Sequence, residues 1–324
     1  MNETVKPVVV VSRCLGLAPC AHDGSQESSP LVAALGTVAE VHAWCPESDA
    51  GLGCPRERLR LVEGETGLRL IEDRSGVDRT LVVGNAARSF LEPLPAVDAF
   101  VLRHRSATCA PSGVAVYPGP GKAAALRRDG RGVAAGEAVD RHPGALAEDE
   151  GRLLNFAIRE HFLTAVWALA EFRTRVRPSP RPADLQAFHA RYKYVLMACA
   201  VAVKDELGRV VANHERLPHG QVLGSYEEGL RRALARKPRA GAHVNVLQHL
   251  LGYVSDRLTE RERRHLLEAF ERYRQGSAPL SAPLAILKSC VIRFDEPYLR
   301  ESRYFEPYPA VLRNVEDTGK GRRD

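Results

Sequence analysis

The longest apolar stretches of this 324-residue chain, such as Tyr194 to Val203, stop short of the roughly 18 residues that a membrane-spanning helix needs. The N-terminus also lacks a cationic segment followed by a long apolar one, so no leader is expected, no membrane partner either, and the cytoplasm is the expected compartment. No C-x-x-C pair occurs, which removes the tight knuckle on which zinc sites are ordinarily built. Internal repeats are absent. Gly119-Pro120-Gly121-Lys122 lacks the Walker spacing and the Ser or Thr after its Lys, so it is expected to be a turn leading into a helix rather than a phosphate loop. Beyond about residue 145 strand signals are absent as well.

What is present divides the chain in two. A hydrophobic content of 44% over this length is ample for two cores. The net charge of +6 is unevenly spread: residues 1–150 hold 16 Lys and Arg against 20 Asp and Glu, and residues 151–324 hold 30 against 20. A C-terminal half near +10 is suited to a polyanion, because Lys and Arg that neutralise phosphates release counterions; solvated helix faces are the plainer explanation. Short β-rich runs alternate with helix-like stretches (Pro30 to Leu35, Asn85 to Leu91) before the divide, the pattern of an α/β domain. After it come helical periodicities over Leu153–Phe172, Asp184–Gly208, Tyr226–Ala235, His243–Leu258 and Thr259–Gln275, with Arg177 to Pro182 as a stiff linker. Thr259 with Glu262 forms a capping box, and Gly276 is placed as the residue after the helix end.

Seven cysteines, an odd number, are expected to be metal ligands or reactive thiols in a reducing compartment, and five lie before residue 110. Cys14, Cys45 and Cys109 each follow a short strand-like run: Val8 to Ser12, Ala39 to Trp44, and Asp98 to Arg103. If these runs are parallel neighbours, the three thiols meet at the crevice beyond their carboxyl ends. Three dispersed thiolates suit an iron–sulfur cluster better than zinc. A [4Fe–4S] cluster usually takes four cysteines, so three would leave one iron open to water or substrate as a Lewis acid. Cys20 and Cys54 are each a candidate fourth ligand, a persulfide carrier or an inert thiol, and Cys199 and Cys290 sit among apolar neighbours as core residues.

Three segments carry a resemblance. Val11-Ser12-Arg13-Cys14-Leu15 with His22-Asp23-Gly24, Cys45-Pro46-Glu47 with Gly51-Leu52-Gly53-Cys54-Pro55-Arg56, and Ser106-Ala107-Thr108-Cys109 resemble the signature motifs of the thiouracil desulfidase family over roughly residues 7–145. Phe188 to Ala198 and His243 to Tyr253 resemble the all-helical domain fused to that family in two-domain desulfidases of tRNA 4-thiouridine. The resemblance implies a Rossmann-like parallel-sheet domain over 1–148, a connecting helix and linker over 149–183, a basic all-helical domain over 184–315 that binds thiolated tRNA, and a disordered tail over 316–324. It implies a [4Fe–4S] cluster on Cys14, Cys45 and Cys109 with one open iron that binds the substrate sulfur. Catalytic roles fall to Glu47, which moves protons, and Ser106, which hydrogen-bonds the base or the attacking water; Asp23 is a further candidate. A carboxyl beside an anionic cluster is expected to titrate high, as a general acid/base near neutral pH should. Ser106 without the resemblance is a loop or cap hydroxyl.

The third motif departs from Ser-Pro-Ser-Cys-Gly at Ala107, Thr108 and Ala110, and the first at Ala21 and His22, which alters loop preferences more than the thiols. In the helical half, Arg191 and Lys193 with His189, and the runs Arg231-Arg232 and Arg236-Lys237-Pro238-Arg239, with Arg261, Arg263 and Arg264, are candidate RNA contacts. His243, Asn245, His249 and Tyr253 are further candidates, His243 and Asn245 alternatively cap and stabilise a helix junction, and a second metal site from these histidines is a lesser alternative. Two further readings stand beside tRNA desulfuration: a desulfidase of free thiouracil or another small thioamide, and a non-catalytic iron–sulfur sensor that binds nucleic acid.

Overall fold

The computed structural model describes residues 5–65 and 67–313. Its described strands are β1 (Val8–Ser12), β2 (Glu40–Trp44), β3 (Leu59–Gly64), β4 (Gly67–Glu72), β5 (Ala99–Leu102), β6 (Val114–Tyr117), β7 (Arg127–Gly130) and β8 (Leu146–Asp149). The helices are α1 (Pro30–Val38), α2 (Pro46–Asp49), α3 (Thr80–Leu91), α4 (Val133–Arg141), α5 (Glu150–Leu153), α6 (Phe156–Glu171), α7 (Pro182–Cys199), α8 (Val201–Ala212), α9 (His219–Leu234), α10 (Ala240–Gly252), α11 (Glu260–Arg274), α12 (Ser281–Arg293) and α13 (Pro297–Arg300). Two compact units result, residues 5–162 with 311–313 and residues 163–310, and the division falls inside α6. The tail expected over 316–324 lies outside the described residues. No described helix is long and apolar enough to cross a membrane.

The first unit is α/β. β1 is Val-Val-Val-Val-Ser and wholly buried, as a strand covered on both faces must be. It pairs in parallel with β2 (Val9 opposite Val41) and with β5 (Val9 opposite Ala99), and β5 pairs in parallel with β8, giving the order β2-β1-β5-β8. Val8, Val10, Trp44, Phe100 and Leu102 pack on one side against Ala87 and Leu91 of α3 and Ala134, Ala135 and Ala138 of α4. Ser29 caps α1 by accepting from the Val32 amide, and Pro30 takes its first turn. Because the chain goes from β1 to β2 on one side and later to β5 on the other, the strand order reverses at β1, and the crevice opens at its carboxyl end.

Half of the strands form a second, mixed sheet, β4-β3-β6-β7, which the run-by-run reading did not separate from the first. Its inner face, Leu61, Leu70, Val114 and Val116, packs on Val83 of α3 and on Ala107 and Ala110. The Gly119–Lys122 turn leads into β7 and not into a helix. Arg60 Nη1 donates to the Gly121 carbonyl (2.6 Å), and the Gly121 amide donates to Asp73, so the loop is held against the β3–β4 hairpin.

The second unit is all helical. The segment expected as one helix over 184–208 is two, because Ala200 is extended (φ −161°, ψ 94°) between α7 and α8. No Gly or Pro marks that break. Tertiary packing sets it, since α8 folds back until Leu207 lies where a Cβ on Gly229 of α9 would come within 2.6 Å of it. The helix expected at Tyr226 begins at His219, the one expected over 243–258 ends at Gly252, and α12 and α13 were not anticipated. Both bonds of the Thr259–Glu262 capping box are present, and Gly276 has φ +73°. A buried carboxylate anchors the core: Glu171 accepts from Arg191 (2.7 Å) and from the Tyr192 hydroxyl (2.9 Å) and pairs with Arg303 (3.1 Å).

Candidate active site

The three strand-end cysteines converge as the crevice argument requires. Cys14 lies two residues beyond β1, Cys45 directly follows β2 and caps α2, and Cys109 lies in the loop after β5. Cys45 and Cys109 are buried and Cys14 half-buried. The proximity of Cys45 is visible in its effect on the ionisation of both Cys14 and Cys109. The Cys109 thiol is pushed well up by burial, then by the charges of Glu47, Cys45 and Cys14. Burial likewise raises Cys14 to about 11, with Arg103 opposing and Cys45 adding to it. Cys20 belongs to the same group: it is buried, raised to about 12 by burial and by Cys45, and within hydrogen-bond reach of the Cys45 thiol.

Local bonds explain each placement. Arg103 N donates to the buried Ser12 hydroxyl (2.9 Å), tying the ends of β1 and β5. Cys45 Sγ is 3.1 Å from Ser48 Oγ, one turn on in α2. Glu47, also in α2, receives Arg56 Nε at 2.5 Å in a largely buried ion pair. The same guanidinium donates to the carbonyls of Gly53 (2.8 Å) and Cys20 (2.9 Å), so one side chain fixes the carboxylate and two loops. Ser106 Oγ accepts from the amides of Thr108 (3.2 Å) and Cys109 (3.0 Å), and its hydroxyl opposes the upward shift of the Cys109 thiol. It therefore shapes the loop that carries Cys109, as a cap hydroxyl does.

The altered third motif has a structural account. Ala107 and Ala110 fill the core of the second sheet. The carbonyl of Thr108 accepts from the amides of Ala134 and Ala135 in the first turn of α4, and a Cβ on Gly132 would come within 2.5 Å of that carbonyl. Helix packing thus holds the loop that Pro and Gly would otherwise have shaped. Sequence reasoning did not single out Arg56, Arg103 or Glu150. Arg103 pairs with Glu27 and Glu150, and Glu150, itself raised by burial, also accepts from the His104 amide. Charged residues at strand ends and inside the motif segments were the available signal.

The remaining candidates have other partners, and Cys54 lies beside the Cys20 loop. Asp23 accepts from the amide and hydroxyl of Ser25, an exposed turn. Cys54 is exposed, and its thiol donates to the Ala21 carbonyl (3.2 Å). Cys199 and Cys290 are half-buried rather than core. In the helical unit Arg191 is committed to Glu171, Arg231 to Glu227 (2.8 Å) and Arg232 to Glu206 (2.5 Å). Arg236, Lys237 and Arg239 are exposed on the connection from α9 to α10. His189 bonds Tyr226 (3.0 Å) and is brought down by burial to about 4, and His243 bonds Tyr304 (2.7 Å).

Among the described residues no three His, Cys, Asp or Glu side chains close on a single metal ion. This disposes of the second, histidine site. Burial disfavours the thiolates of Cys14 and Cys109, and the positive iron core of a cluster would stabilise them. The donors therefore fit an iron–sulfur group.

Comparison with known proteins agrees with this organisation. Residues 9–150 match the model of the 2-thiouracil desulfurase family, and residues 193–309 match a protein family of unknown function, DUF1722. The uncharacterized protein YbgA of Escherichia coli strain K12 is 29% identical over 158 residues, covering 48% of this chain and 93% of that protein. A solved structure, the [4Fe-4S]-dependent thiouracil desulfidase TudS, is 28% identical, covers 48% of this chain and 98% of its own, and superposes with a TM-score of 0.39. The chain thus joins an N-terminal region that matches the 2-thiouracil desulfurase model to a C-terminal region that matches the DUF1722 model.

Proposed function

We propose that this protein is a desulfidase that hydrolyses the carbon–sulfur bond of 4-thiouridine in tRNA. The observation that carries the reading is the convergence of Cys14, Cys45 and Cys109 beyond adjacent parallel strands, beside Glu47, within the desulfurase-matching segment. These three cysteines would hold a [4Fe–4S] cluster, with Cys20 the neighbouring thiol. Such a cluster, when bound with one iron free of protein, supplies a Lewis acid for the thiocarbonyl sulfur.

Replacing thiocarbonyl sulfur by oxygen consumes one water and releases one hydrogen sulfide, with no electron gained or lost. The chemistry needs a base toward the water and an acid toward the departing sulfur. Glu47 does both, carrying first one and then the other proton of the attacking water to the departing sulfur. Arg56 holds Glu47 Oε2, which orients the carboxylate and leaves Oε1 for the proton. Ser106 keeps Cys109 in position through the loop amides.

The helical region supports RNA as the form of the substrate through its excess of basic residues and the exposed Arg236, Lys237 and Arg239. A second reading, free thiouracil as substrate, is favoured by the family of the N-terminal domain. Salt separates the two. With tRNA as substrate, KM should rise steeply between 50 and 200 mM salt, roughly tenfold or more, because counterion release drives phosphate binding. Turnover of free thiouracil with an insensitive KM, and none on tRNA, would replace the first reading by the second.

A further inference from the structure

Tyr253, at the end of α10, and Tyr298, in α13, lie face to face with ring centroids 5.4 Å apart and planes 15° apart. Each meets the buried Tyr194 of α7 edge-on, at 6.4 and 6.5 Å. The Lys193 ammonium stands 5.5 Å from the Tyr194 ring centre and 5.7 Å from that of Tyr298. Core packing accounts for Tyr194. It does not account for Tyr253 and Tyr298, which remain 40% and 38% exposed although large aromatic rings gain most from burial. His249, one helical turn before Tyr253, is exposed as well.

Flat aromatic faces beside a cation, on the strongly basic half of the chain, match the two features of a single nucleotide: a base that stacks on any aromatic ring, and a phosphate that seeks positive charge. We propose that Tyr253 and Tyr298, with Lys193 beside them, form a stacking platform for an unpaired base of the RNA substrate. The proposal rests on the tRNA reading given above. It concerns a site apart from the cysteines and adds the residues that hold RNA by its bases, where Arg236, Lys237 and Arg239 would hold it by phosphates. An aromatic platform is sequence-tolerant, so many tRNAs could share it.

The test is equilibrium binding of the full chain to fluorescently labelled tRNA containing 4-thiouridine, by anisotropy, with Tyr253→Ala, Tyr298→Ala and the conservative Tyr253→Phe and Tyr298→Phe. The alanine variants should bind roughly 5- to 150-fold more weakly, the usual effect of removing a stacking partner, and the phenylalanine variants should bind as the parent does. Sulfide release from free thiouracil should stay unchanged in all four. Alanine variants that bind tRNA like the parent overturn the platform and leave the RNA reading standing. Phenylalanine variants as weak as alanine, or alanine variants that also lose thiouracil turnover, overturn stacking in favour of a structural role. A parent chain that binds no tRNA overturns the RNA reading, and the platform with it.

Discussion

At the scale of the residue, Glu47 and its partner divide the work. The carboxylate lies within electrostatic reach of Cys109, while its other side is occupied by Arg56, a cation that also grips the Cys20 and Gly53 carbonyls. Removing Glu47 takes away a proton carrier without touching a sulfur ligand. Glu47→Ala should therefore keep the cluster absorbance and lose turnover by about 100-fold or more, the usual scale for a general acid/base, as read by sulfide release at constant iron content. An active variant would rule out the proton-transfer role. The strand-end placement of the three cysteines was legible from the short strand-like runs before them, whereas Glu47 came only from the resemblance of its motif. Arg56 was not legible, because a side chain that bridges two loops has no local periodicity. The Glu171–Arg191 ion pair was hidden for the same reason: nothing local ties Arg191 to a buried carboxylate twenty residues earlier in the chain.

At the scale of the element, the loop after β5 depends on the first turn of α4. The Thr108 carbonyl takes two helix amides, and Gly132 leaves room for that approach. Gly132→Ala places a Cβ 2.5 Å from backbone atoms of Thr108, a contact that only a shift of the Cys109 loop can relieve. The variant should lose most of its cluster on reconstitution, measured as iron and sulfide per chain, while the helical region keeps its far-ultraviolet signal. Full cluster content would mean that the loop tolerates the shift. The three parallel strands and the Thr259 capping box were readable from local pattern alone. The break at Ala200 and the second sheet were not, since packing of Leu207 on Gly229 and of β3 on β6 pairs residues distant in sequence.

At the scale of the whole molecule, two units with different physics share one chain. The first gathers thiols at a strand-order reversal and is near charge balance; the second is helical, carries the positive excess and keeps two stacked tyrosines in water. Composition predicted that division, because β-branched runs and basic amphipathic helices occupy separate stretches. Which helices meet, and which cations stay free of carboxylate partners, follows from tertiary structure and lay beyond sequence reading. The central claim is that Cys14, Cys45 and Cys109 hold the cluster that makes sulfide from a thiolated pyrimidine. Its most direct test is to reconstitute the full chain anaerobically, add tRNA containing 4-thiouridine, and follow the near-ultraviolet thiocarbonyl band together with released sulfide. The account predicts loss of the band with matching sulfide, and neither in Cys14→Ala, Cys45→Ala or Cys109→Ala, each of which should also lose cluster absorbance. A band that persists over an intact cluster, or turnover that survives loss of any of the three cysteines, would contradict it.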